Sequence, residues 1–76
     1  MKKAVVAEID LYDKEVNQRL VEVNDNATWK IAYFKAFVKN PDDKMVHWIE
    51  KMPENLEEAK QQLISGDMMI DILFLD

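Results

Sequence analysis

The chain has no cysteine, one glycine, two prolines, one histidine, one serine and one threonine. Each scarcity removes a class of chemistry. Without cysteine there is no disulfide framework, no thiolate metal site and no thiol nucleophile. A single glycine is too few for a phosphate-binding loop or a dinucleotide fingerprint, each of which needs several. With one histidine there is no paired-histidine metal motif. The longest apolar runs fall far short of the ~18 residues of a membrane span. The basic start Met1-Lys2-Lys3 leads into Ala4–Ala7, but Glu8 and Asp10 follow too soon for a secretory core. A cytoplasmic protein is therefore expected.

What the chain does have is a core. Its 76 residues are 49% hydrophobic and 33% charged, with a net charge of -5, the balance of one folded domain over residues 1–76. A domain near this size buries only about 60% of its unfolded surface, so stability demands a dense core or self-association.

Residues 4–12 alternate, with Val5, Ala7, Ile9 and Leu11 opposite Glu8, Asp10 and Tyr12, the period of a half-buried strand. Residues 13–17 read as a turn region and 19–23 as a second, weaker strand. Asn24-Asp25-Asn26 is a turn cluster. The segment 29–39 is apolar on both alternating faces. A helix there places Lys30 in the middle of the arc formed by Trp29, Tyr33, Phe34 and Phe37. Asn40-Pro41-Asp42-Asp43 suits a type I turn. Strands at 29–39 and 44–51 joined by that turn make a hairpin.

Residues 55–65 read as a helix: Asn55 caps it, Glu57 and Glu58 occupy its first turn, and Leu56, Ala59, Leu63 and Ile64 form a stripe. Gly66 is expected to end it in the left-handed conformation. Residues 68–76 form a final strand, apolar on both faces except at Asp71. The expectation is an α+β fold, ββββαβ, with an antiparallel meander of order 4-3-2-1-5 and one helix on one face. The alternative is ββααβ with residues 27–39 helical. One short helix leaves part of the sheet bare, so a second copy of the chain is expected to cover the other face as a homodimer.

No residue set forms a catalytic constellation, and neither a cofactor nor a metal is implied. A serine triad would need Ser65 and His47, but Ser65 suits a helix end. His47 stands without ligand partners. Asp71 is a lone charge in an apolar strand, and a solvent-facing or edge position, or a pairing with a lysine such as Lys30 or Lys35, accounts for it. A small-molecule site around His47 and Asp71 requires the two to converge.

Two surfaces point to partners. Residues 1–52 carry nine acids and nine bases, so the whole charge excess lies in 53–76, and Glu54, Glu57 and Glu58 cluster at the helix start. Such a patch would steer a basic protein partner. Trp29, Lys30, Tyr33, Lys35, Phe37 and Trp48 interleave aromatics with lysines, a pattern that can stack bases and follow phosphates. Residues 28–51 net only +2, which is weak for nucleic acid. The reading is a small acidic, non-enzymatic protein-interaction module of the inhibitor or adaptor kind. A single-stranded nucleic-acid binder is the alternative.

Overall fold

The computed structural model describes residues 1–75 in the order ββαααβ: β1 (Lys2–Asp10), β2 (Glu15–Val23), α1 (Trp29–Phe37), α2 (Lys44–Glu50), α3 (Leu56–Ile64) and β3 (Met68–Leu75). The three strands form one antiparallel sheet of order β2-β1-β3. The class is α+β, but the expected four-strand meander and its order 4-3-2-1-5 are corrected. The last strand does lie antiparallel beside the first. Asp76, expected to end that strand, lies outside the described residues.

Two expected strands are helices. Residues 29–39 were expected as a strand because Lys30 interrupts the apolar arc. In α1 that lysine is accommodated: its side chain is only 12% exposed, and Nζ donates to the Glu50 carbonyl at 3.0 Å and to Glu54 Oε1 at 3.1 Å. It sits at the end of α2, where unpaired carbonyls and the helix dipole favour a cation. The aliphatic stem stays in the arc while the charge leaves it. Trp29, Ala32, Tyr33 and Ala36 then share one buried face at helical spacing. The alternative with residues 27–39 helical is thus closer for this segment.

The turn at Asn40-Pro41-Asp42-Asp43 is present, with Asp43 N donating to the Asn40 carbonyl at 3.0 Å. It joins two helices where a hairpin was expected. Asp43 Oδ1 accepts from Met45 N at 2.9 Å and caps α2, so residues 44–50 are helical where a strand over 44–51 was expected.

The turn between β1 and β2 is tighter than expected. Asp10 Oδ1 accepts from Tyr12 N and Asp13 N, and Lys14 is left-handed with φ 59°. The chain therefore turns within residues 11–14, and β2 begins at Glu15, not near residue 19. α3 follows expectation at its start: Asn55 Oδ1 accepts from Glu57 N at 2.9 Å and Glu58 N at 3.2 Å. Its end differs. Gly66 continues the helical turn by donating to the Leu63 carbonyl, and Asp67 takes the left-handed φ of 58°. Short polar side chains tolerate that conformation.

The helices cover one face of the sheet. Ala4, Val6, Val23 and Ile70 from the strands meet Ala32, Tyr33, Ala36, Ile49, Ala59 and Leu63 from the helices in one core. The alanines let helix and sheet backbones approach closely. Val5 and Ile9, the expected inner side of β1, lie instead on the face away from the helices. Glu8 occupies the helical side because the Tyr33 hydroxyl donates to its Oε2 at 2.7 Å.

Candidate interaction surface

The strand register fixes the composition of the uncovered face. Side chains alternate between faces, so residues paired with Val5, Ala7 and Ile9 share their side. Four rows cross the sheet from β2 through β1 to β3: Glu22–Lys3–Leu75, Leu20–Val5–Leu73, Gln18–Ala7–Asp71 and Val16–Ile9–Met69. Two rows are wholly apolar. Their outer members are open to solvent: Val16 is 57% exposed, Leu20 60% and Leu73 62%. A third row has alanine at its centre. Ala7 is 8% exposed with no helix above it, because its taller row and strand neighbours shade it. Lys3 and Glu22 are register partners, so their charges offset locally.

Asp71, the charge that interrupts the last strand, is explained at this edge. It lies exposed on the edge strand β3, and its Oδ1 accepts from Lys60 Nζ of α3 at 3.0 Å; the lysine is not one of the two suggested, Lys30 and Lys35. Lys60 also lies 3.4 Å from Glu57. The hydrogen bond to Asp71 holds the Lys60 ammonium above its ordinary pKa, against the opposing effect of burial, with the charges of Asp71 and Glu57 assisting.

The acidic cluster is partly neutralised. Glu54 pairs with Lys30 and Glu57 with Lys60, while Glu58 is exposed. All three lie at the start of α3, in the helical layer, on the side of the sheet opposite the four rows.

The aromatic and lysine residues do not form a platform. Trp29 is 4% exposed, and its indole Nε1 donates to the Glu54 carbonyl at 2.8 Å. Tyr33 is 1% exposed. Burial raises its phenol pKa far above the ordinary range, and the hydrogen bond to Glu8 and that carboxylate's charge add to the effect. Phe37 lies under the Arg19 guanidinium, 5.2 Å from ring centroid to cation, and Trp48 packs against the core with its ring near Gly66. Lys35 donates to the Glu22 carbonyl on β2. These side chains build the helical layer and tie it to the sheet.

His47 is exposed on α2, and Asp71 belongs to the opposite face, so the structure does not bring them together. A shallow cleft of about 340 Å³ beside the β1 end and the α3–β3 turn is lined by Glu8, Asp10, Asp67 and Met68 and includes neither. Ser65 Oγ donates to the Gln62 carbonyl at the end of α3. Among the described residues, no three acidic or histidine side chains gather as metal ligands, and no helix is long and apolar enough to cross a membrane.

Sequence reasoning anticipated an uncovered apolar face and grouped Met69, Leu73 and Leu75 on one side of the last strand, where the register keeps them. It expected a strand at 29–39, with Phe34, Ala36 and Val38 opposite Tyr33 and Phe37, to share that sheet; those residues belong to the helical layer, and Val16 and Leu20 of β2 with Val5 and Ile9 complete the face instead. The alternation Val16, Gln18, Leu20, Glu22 was the available signal.

No family model matches the chain, no curated protein is significantly similar to it, and no solved structure matches it.

Proposed function

We propose that the chain is a non-enzymatic protein-interaction module that works through the open face of its sheet. The observation that carries the reading is the pair of uncovered apolar rows, Leu20–Val5–Leu73 and Val16–Ile9–Met69. Monomeric proteins seldom leave such contiguous apolar surface in water without a use for it. The helical side has a separate role. Glu54, Glu57 and Glu58 at the start of α3 lie there, and they attract basic protein surfaces at long range without occupying the contact itself. A protein of this kind acts by occupying a partner, as an inhibitor or adaptor does.

The reading is tested by immobilising the wild-type chain and a Leu20→Lys/Leu73→Lys double variant and comparing what each retains. A protein held by the wild type and lost from the variant supports the open face. Identical retention by both overturns it. The acidic contribution is tested separately with Glu54→Gln, Glu57→Gln and Glu58→Gln combined. Binding to a basic partner is expected to weaken, with a shallower dependence on salt. Unchanged binding and salt dependence remove the acidic start of α3 from the account.

A further inference from the structure

We infer that the occupant of the open face is a second copy of the chain, packed sheet to sheet with the helical layers outermost. The inference rests on the open face being the working surface, and it adds the identity of the partner. Three observations carry it.

The first is area. Three strands and four rows span about 14 Å by 25 Å at ordinary strand spacings. That is a flat footprint of about 350 Å² per copy and about 700 Å² for the pair, which side-chain relief and the exposed Leu11 at the β1–β2 turn enlarge, the size of a small, concentration-dependent contact. A second copy supplies a surface of the same size and flatness, as a two-fold contact requires.

The second is charge. The chain carries -5, yet the open face does not share that excess. Lys3 stands beside Glu22 in the register, and Asp71 is bound by Lys60. A face that is locally balanced does not repel its own copy. It also offers no field to a strongly charged partner. The acids of the α3 start remain on the outside of such a pair, where they stay hydrated.

The third is the condition of the sheet edges. Two copies could instead join strand to strand into a longer sheet. Helix lysines reach both edges. Lys35 of α1 takes the Glu22 carbonyl at the β2 edge, an acceptor that a joining strand would need, and Lys60 of α3 sets a charged pair with the Asp71 side chain beside β3. Charge at a sheet edge opposes pairing with another chain. The apolar rows of the face carry no such obstacle. Along β1 the face reads Val5, Ala7, Ile9, so Ala7 forms a recess between two larger residues. Stacked sheets lie about 10 Å apart with interleaved side chains, and such a recess admits an apolar side chain from the facing copy.

The test is the solution mass of the purified chain by analytical ultracentrifugation over the micromolar range. The wild type is expected near twice 9.0 kDa. The Leu20→Lys/Leu73→Lys variant is expected near 9.0 kDa with an unchanged far-ultraviolet circular dichroism spectrum, since both residues are exposed in the single copy. A second variant keeps the question open should that one misfold. Gln18→Cys introduces the sole cysteine of the chain at an exposed position of the Ala7 row, and a bis-maleimide is expected to join two copies through it in the native state but not in denaturant. A wild type that stays monomeric throughout overturns the second copy, as does a dimer that survives both lysines. If a monomeric wild type still retains a different protein through Leu20 and Leu73, the occupant is wrong and the open face stands. If it retains nothing that the double variant loses, both fall.

Discussion

Tyr33 concentrates the interior chemistry of this molecule. Its ring is buried in the core, and its hydroxyl reaches the Glu8 carboxylate, which β1 turns toward the helices. Tyr33→Phe keeps the packing and removes the donor, leaving Glu8 facing the helical layer without it. A loss of about 1–2 kcal/mol is expected, measured by urea denaturation. The pH dependence follows from the raised phenol pKa. The proton is held more tightly in the folded chain than in the unfolded one, whose tyrosine ionises near its ordinary value of 10.0. The contribution is therefore complete below that pH and is lost as pH rises beyond it. Lys60 acts in the same direction, because the Asp71 bond also raises its pKa above the ordinary 10.5. Wild-type stability is expected to fall above about pH 10, and Tyr33→Phe should flatten that fall. An equal slope in both proteins would remove Tyr33 from the explanation.

At the scale of elements, side chains outside the helices decide where the helices begin and end. Asp43 and Asn55 cap α2 and α3, and Arg19 from β2 donates to the Ala36 carbonyl near the end of α1 at 2.9 Å. Asn55→Ala removes the acceptor for two α3 amides and is expected to cost about 1 kcal/mol in thermal or chemical unfolding. Gly66 behaves differently from a left-handed helix stop. A Cβ there would meet the Leu63 carbonyl oxygen at 3.5 Å and the Trp48 ring at 3.6 Å, which are ordinary contacts. Gly66→Ala is therefore expected to be neutral or to stabilise by up to about 1 kcal/mol, through reduced freedom of the unfolded chain. A marked loss of stability would show that the glycine is required. The helix at 55–65 and the pairing of the first two strands were legible because their signals are local: a cap, a stripe, a polar turn region. α1 was not, because the group that makes it tolerable, the Glu50 carbonyl, is supplied by a segment 20 residues away.

For the whole molecule, three helices on one side of a three-stranded sheet leave the other side bare. A small domain gains from covering such a face, because its own core is limited by size. If two copies share it, stability is linked to concentration. The wild-type melting temperature should rise with protein concentration, and that of Leu20→Lys/Leu73→Lys should not. Calorimetry at several concentrations checks this. The apolar character of the face was readable from β3, whose residues are hydrophobic on both sides. The members contributed by β2 were obscured, since the sequence reading began that strand near residue 19 and so left Val16 out.

The sequence by itself determined the class of fold, the α3 cap, the pairing of the first two strands, the final strand beside the first and the excess of apolar surface over what one layer of helix can cover. Those follow from spacing and local hydrogen bonding, which act over a few residues. Only the tertiary structure decided that 29–37 and 44–50 are helical, that Ala4 and Val6 and not Val5 and Ile9 face the core, and that Asp71 belongs to Lys60. Each of these turns on a distant partner: a carbonyl for Lys30, a phenol for Glu8, an ammonium for Asp71. A charged or polar group in an apolar pattern is ambiguous until its partner is in place, because the cost of burying it depends on that partner.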